Sequence, residues 1–285
     1  MSPKRKPNMS LLKGVSFSPP SDYQTWMFLA SALSLIVISI YSVLSVVETI
    51  IEEKEQYRHE EIVHLPNFAS IASTPERKKA FFNFLEPFVV EANREILEER
   101  SQVESFRDYF EENGELSGKR LVLFNVLRES YGLEMVETAG LEDIAELLNR
   151  VDVIPASMVL AQAAIESGWG TSRFARQGNN LFGIWCYEPG CGIVPRRRPA
   201  GETYEVAAYD TPRDSFLAYI RNLNTSHHYE ALRDIRAAHR ENGMEVTGKD
   251  LAGGLSNYSQ ERWTYVRKVR GLIASNRLEE RSKIR

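Results

Sequence analysis

Cysteine is nearly absent from this chain of 285 residues; Cys186 and Cys191 are the two that occur. Two thiols cannot make a disulfide scaffold, and with no further ligands close by they do not make a tetrahedral zinc site. Histidine is scarce as well, five in all, and the adjacent pair His227-His228 has neither metal-ligand spacing nor a nearby Glu, so it reads as loop. No Ser/His/Asp or Cys/His set suggests an activated nucleophile. There is no internal repeat and no low-complexity tract. An excess of positive charge is missing too: the formal net charge is −4, which gives no reason to expect a nucleic-acid partner. What remains is an ordinary globular composition, 43% hydrophobic and 26% charged, long enough for one or two domains with a sizeable core and with no metal or organic cofactor implied.

A local absence is more informative. Residues 26–47, WMFLASALSLIVISIYSVLSVV, contain no charged side chain. A helix of that length, at about 1.5 Å per residue, spans the roughly 30 Å hydrocarbon core of a bilayer. Lys4, Arg5, Lys6 and Lys13 stand before it against Asp22, a net +3; residues 48–61 follow with six Glu against Lys54 and Arg58, a net −4. Positive flanks stay cytoplasmic, so the long C-terminal part is expected outside the cytoplasm. The stretch exceeds a signal-peptide core and lacks an Ala-x-Ala site, which favours an uncleaved signal anchor. The expected order is a basic tail (1–25), a transmembrane anchor (26–47), a juxtamembrane linker (48–74), a helical region (75–137) and a catalytic domain (138–285). In an exported domain, a disulfide closing the Pro-Gly turn between Cys186 and Cys191 is expected.

Helical spacing dominates the rest. From Thr74, a candidate N-cap followed by Pro75, apolar residues recur three and four apart (Phe81, Phe84, Leu85, Phe88, Val89, then Ile96, Val103, Phe106 and Phe110). NGELSGK breaks the pattern before another short helix. Two helices then flank VDVIP, and the second, Ala156 to Ile165, is apolar on almost every face and so expected to be buried. Two β-like runs, the end of NNLFGIWCYEPGCGIV and ETYEVAAYD, around the turn PRRRPAG predict one small hairpin, and helices resume at TPRDSFLAYIRNLNT and near 229–241, 247–254 and 259–276.

Glu166 ends the apolar helix, just before Ser167-Gly168. There a carboxylate meets the negative end of the helix dipole and loses solvent, and both effects favour its protonated form. A carboxylic acid that keeps its proton near neutral pH suits glycosidic cleavage, in which the leaving oxygen must be protonated. An ordinary helix-terminal Glu is the competing reading.

The stretch AQAAIESGWGTSRFARQGNNLFGIW resembles the signature of bacterial peptidoglycan β-N-acetylglucosaminidase domains of the autolysin and flagellar-muramidase kind. The run through NNLFGIWCYEPGCGIVPRRRPAGETYEVAAYDTPRDSFLAYIRNLNTSHHYEALR resembles in particular the membrane-anchored Bax-type branch. The resemblance covers about 75–285. It implies a mainly α, lysozyme-like glucosaminidase domain with one small β-hairpin, preceded by a helical region and a single transmembrane helix. It also implies that Glu166 is the general acid. Trp169 and Trp185 are candidate sugar platforms, with core packing the alternative for Trp169. Asn179 and Asn180 are candidate partners for acetamido and hydroxyl groups, or turn caps. Tyr258 is expected near the scissile sugar by the resemblance of LSNYSQERWTYVRKVRGLI to the family's closing segment, whereas Tyr265 better suits packing. Glu202, and less so Glu205, are candidates for a second carboxylate, although the hairpin departs from the family's pattern. Arg196, Arg197 and Arg198 sit in the hairpin turn, either solvated or facing carboxylates of peptide stems. The implied partners are peptidoglycan glycan strands and, through 26–47, the bacterial inner membrane, with the C-terminal domain in the periplasm. A lytic transglycosylase and a non-catalytic wall-binding scaffold remain open alternatives.

Overall fold

In the computed structural model, which describes residues 64–281, the helical region opens at Ser73. Its Oγ accepts the Glu76 N–H at 3.5 Å, so the N-cap lies one residue before Thr74, and Pro75 falls in the first turn, where its missing N–H is not needed. Helix α1 (Thr74–Asn113) then runs for 40 residues and buries Phe81, Leu85, Phe88, Val89, Ala92, Ile96, Val103 and Phe106 along one side. Pro87 removes a ladder hydrogen bond midway, and the apolar contacts on both sides of it keep the helix continuous. Helices α2 (Gly118–Ser130) and α3 (Leu141–Arg150) follow. The predicted membrane span and its flanks lie outside the described residues, and among the described residues no helix is long and apolar enough to cross a membrane.

Helix α4 (Ala156–Glu166) is the centre of the domain. Every residue from Ala156 to Ala164 is buried, beneath α1 on one side and the C-terminal elements on the others. The loop that feeds it, residues 151–155, would leave backbone groups unpaired inside the protein. Side chains prevent that: Arg100 donates to the Val151 carbonyl and Asn224 to that of Asp152, and two more do the rest. Asn93 of α1 donates to the Ile154 carbonyl (2.8 Å) and accepts its N–H (3.1 Å). Arg236, 1% exposed, donates to the carbonyls of Asp152 (2.9 Å), Val153 (3.2 Å) and Asn149 (2.8 Å). Burial pushes the Arg236 guanidinium down to about 10, with the Asp152 carboxylate opposing that loss. The start of α4 is fixed by these bonds.

After α4 a short helix that the sequence pattern does not predict, α5 (Arg173–Gly178), leads to the sheet. The expected hairpin is a three-stranded antiparallel sheet, order β1-β3-β2, of β1 (Trp185–Cys186), β2 (Gly192–Ile193) and β3 (Glu205–Ala207). The predicted hairpin across PRRRPAG is β2 and β3, with Ile193 facing Val206, and β1 adds a third strand on the other edge of β3, with Trp185 facing Val206. The disulfide Cys186–Cys191 ties the two outer strands.

Helix α6 (Pro212–Thr225) begins at a capping box in which Thr211 and Asp214 satisfy each other's backbone N–H. It is followed by α7 (Glu230–Glu241), α8 (Gly248–Leu251), a 3-10 turn (Ala252–Leu255) and α9 (Trp263–Ser275). The described residues, 64–281, belong to one compact unit. The helical region and the domain that follows it therefore share a core, because α1 packs on α3, α4 and α6. Gly254 lets the C-terminal segment lie directly on α7: a Cβ there would stand 2.3 Å from Leu232 Cα. Gly254→Ala is expected to destabilise the domain by about 1–3 kcal/mol. Thermal melting would read this as a fall of roughly 2–4 °C per kcal/mol; an unchanged melting temperature would contradict the packing.

Candidate active site

The turn after α4 sets Glu166 at the helix end. Residues 168, 169 and 170 all have positive φ, and the non-glycine among them, Trp169 (φ 60°), adopts a backbone that costs an L-residue roughly 1–2 kcal/mol. Its ring is met edge-on by Phe81 (5.6 Å) and Phe82 (5.4 Å), with Lys78 Nζ 4.9 Å from the ring centre. These contacts from α1 offset the strain and hold Trp169 in packing, so it does not offer an open sugar platform.

The Glu166 carboxylate is half-buried and belongs to a directed chain of hydrogen bonds. The Tyr219 hydroxyl donates to Gln162 Oε1; Gln162 Nε2 donates to the Tyr265 hydroxyl (2.9 Å); Tyr265 donates to Glu166 Oε1 (2.7 Å). Gln162 and Glu166 are four residues apart on one face of α4, which lets a single tyrosine from α9 bridge them. Burial raises the Glu166 pKa above the ordinary carboxylate value; the Tyr265 bond opposes this, Glu261 adds to it and Lys268 again opposes. Glu261 and Lys268 are themselves ion-paired at 2.6 Å. Burial and the Glu166 charge push the Tyr265 hydroxyl well above its usual range, so it stays protonated and serves as a donor.

The second oxygen, Oε2, faces the Gly183 turn, where a Cβ would come within 4.0 Å of it. Gly183 has φ +68°, a conformation that side chains resist, and glycine leaves the approach to the carboxylate open. Tyr258, expected near the scissile sugar, donates to the Phe182 carbonyl at 2.8 Å and stacks on Tyr265 with ring centres 5.2 Å apart. Tyr258 thus holds the 182–183 turn, and Tyr265, which the sequence places in packing, is the tyrosine that touches the acid.

The chain matches the glucosaminidase family, described as mannosyl-glycoprotein endo-beta-N-acetylglucosaminidase, over residues 141–278. It is 33% identical over 201 residues to Protein bax of Escherichia coli (strain K12), covering 70% of each chain. It belongs to the Bax-type glucosaminidase family. Among solved structures it is similar to the catalytic domain of the autolysin Auto from Listeria monocytogenes (20% identity, TM-score 0.38, 80% of this chain and 96% of that one). It is also similar to a peptidoglycan hydrolase from Sphingomonas sp. A1 (27% identity, TM-score 0.33, 45% and 80%).

The remaining candidates of this glucosaminidase domain divide by what their polar atoms do. Asn180, 1% exposed, donates to the carbonyls of Ile184 and Ala207 and accepts the N–H groups of Phe182 and Ile184, which employs the whole amide in the turn. Asn179 caps α5 with φ 50° and donates to the carbonyls of Tyr209 and Asp210. The NNLFGI segment is therefore a backbone bracket that presents Gly183 to Glu166. Glu205, 8% exposed, accepts the N–H groups of Gly190 (3.2 Å) and Gly192 (2.8 Å), one on each oxygen, and secures the disulfide loop. Glu202 lies exposed in the loop before β3. Trp185 is 52% exposed, with one face covered by Tyr204 at 4.4 Å and nearly parallel, the posture of an aromatic platform. Arg198 donates to the carbonyls of Thr203 and Tyr204 and so holds that loop.

Gln162 and Tyr219 are missed by reading the sequence, although a lone amide four residues before the acid in an apolar helix is a usable signal. Replacing Tyr265 with Phe removes the bond that stabilises the Glu166 anion, so the acid's pKa rises further. An acid catalyst works below its pKa, so the alkaline limb of the pH–rate profile is expected to move to higher pH. The Gln162 amide left without its partner costs about 1–3 kcal/mol of stability. A limb that stays in place, or moves to lower pH, would contradict the assignment.

Proposed function

We propose that this protein is a peptidoglycan hydrolase that cleaves β-1,4 glycosidic bonds next to N-acetylglucosamine, with Glu166 as the general acid. The observation that carries the reading is the half-buried Glu166, held by Tyr265 through one oxygen, with its other oxygen on the side left open by Gly183. Burial raises the affinity of Glu166 for its proton above that of an ordinary glutamate, the direction a general acid needs. That proton passes to the glycosidic oxygen as the C1–O bond breaks. Glu205 is engaged on both oxygens and Glu202 is exposed in its loop, which favours attack on C1 by the carbonyl oxygen of the substrate's own acetamido group. Water then opens the resulting ring at C1, and the Glu166 carboxylate takes back a proton. Trp185, backed by Tyr204, provides the stacking surface for a neighbouring sugar.

The uncharged stretch 26–47, with +3 before it and −4 after it, supports an anchor in the bacterial inner membrane and a periplasmic domain. A C-terminal alkaline phosphatase fusion is expected to be active; an inactive one alongside an active cytoplasmic reporter would reverse the orientation.

Glu166→Gln tests the chemistry, because it keeps the shape and removes the proton. Wild type is expected to clear sacculi in a zymogram, and the variant to lose about 10²–10⁴-fold in rate. Mass spectrometry of the products should show reducing ends; anhydro-muramyl ends would replace hydrolysis with transglycosylation. Equal clearing by both proteins would remove Glu166 from the reaction, and no clearing by wild type would leave a scaffold.

A further inference from the structure

Beyond the turn that follows Glu166, a cleft of about 720 Å³ opens between α5 and the loop after β2. Arg173 and Arg176 line one wall and Arg196 and Arg197 the other, with Phe174 and Thr171 between them. No Asp, Glu or Lys lines it, and among the described residues none of the four arginines is ion-paired. In a chain of net charge −4, four uncompensated guanidiniums on facing walls are a concentrated exception. The walls are braced: Arg173 donates to the Val194 carbonyl at 2.8 Å and lies over the Phe174 ring, which ties α5 to the opposite loop. Arg176, three residues on, shares its helix face, and Arg196 and Arg197 are exposed.

We propose that this cleft binds the carboxylates of the peptide stem on the same glycan strand whose sugar meets Glu166. The proposal rests on the peptidoglycan reading above. Placement supports it, because Thr171, on the cleft wall, is five residues from Glu166, at most about 18 Å of extended chain. The folded turn shortens that path, since the Ser172 N–H donates to the Ser167 carbonyl and the Thr171 hydroxyl to the Gly168 carbonyl. Residue type supports it too. All four cations are arginines, whose planar fork matches a carboxylate through two parallel hydrogen bonds, whereas a lipid surface is served equally well by lysine. A peptide stem carries several carboxylates spaced along a short chain, the pattern that cations on two walls can grip together.

The test separates stem recognition from catalysis. Full-length Glu166→Gln protein, with and without Arg196→Ala and Arg197→Ala, is sedimented with intact sacculi and with glycan strands stripped of peptide by an amidase. The double substitution is expected to weaken binding to intact sacculi roughly tenfold, as for the loss of two charge-assisted contacts at an exposed site, and to leave binding to stripped glycan unchanged. In the protein with Glu166 intact, kcat/KM should fall for intact sacculi alone. Lysine at both positions should restore part of the binding, and more of it at low salt. Equal loss on both polymers, or on neither, would overturn the proposal. Vesicles containing phosphatidylglycerol form the other arm: arginine-dependent binding to them, with the ratio of intact to stripped glycan unchanged, would make the cleft a lipid-headgroup site. If wild type cleaves neither polymer, the hydrolase reading fails, and the sedimentation result still decides the cleft.

Discussion

A carboxylate at the C-terminal end of a helix buried on every side is the constraint around which this domain is arranged. The dipole of α4 and the loss of solvent disfavour the Glu166 anion, and one hydrogen bond from Tyr265 opposes them. Burial is the larger influence and the Tyr265 bond the next, so a single donor limits the upward shift of the Glu166 pKa without cancelling it. The same bond fixes which oxygen is occupied. With Oε1 held by Tyr265, Oε2 is the oxygen without that bond, and it lies toward Gly183, which brings no side chain.

Around that acid, polar residues mostly serve the backbone. Asn93 and Arg236 pair the groups of the loop entering α4, Asn180 pairs the turn that carries Gly183, and Glu205 pairs the disulfide loop. A loop that must hold a defined shape inside a protein has N–H and C=O groups to satisfy, and side-chain amides and carboxylates are the groups that reach them. The motif's asparagines are thus conformational devices, whereas the ring of Trp185 stays exposed with one face backed by Tyr204.

The helices were legible because burial imposes a period. The stripe from Phe81 to Phe106 marks α1, the apolar run 156–165 marks a helix enclosed on all sides, and Thr211 followed by Asp214 marks a start. Glu166 was legible for the same reason, being the one acid at the end of such a run. The β2–β3 hairpin was legible from its Pro/Gly turn, but β1 was not: a strand of two residues carries no periodicity, and its place on the far edge of β3 is a tertiary event. The roles of Tyr258 and Tyr265 were equally hidden: they lie seven residues apart in one segment, and which hydroxyl meets the acid depends on how α9 docks. The one-residue shift of the α1 cap, from Thr74 to Ser73, is a local ambiguity between neighbouring hydroxyl residues.

The Tyr265–Glu166 bond joins residues 99 apart in sequence, and the Tyr265–Gln162 bond joins residues 103 apart. Neither can form until α9 has docked on α4, and that docking relies on the segment that Gly254 seats against Leu232. Before it, Glu166 would be a helix-terminal carboxylate with one fewer covering element, more water and an ordinary affinity for its proton. The perturbed acid is thus a property of the closed domain and not of the motif that contains it. A chain that folded α1 to α6 and left its C-terminal helix undocked would keep every residue of the signature and lack part of the environment that raises the Glu166 pKa.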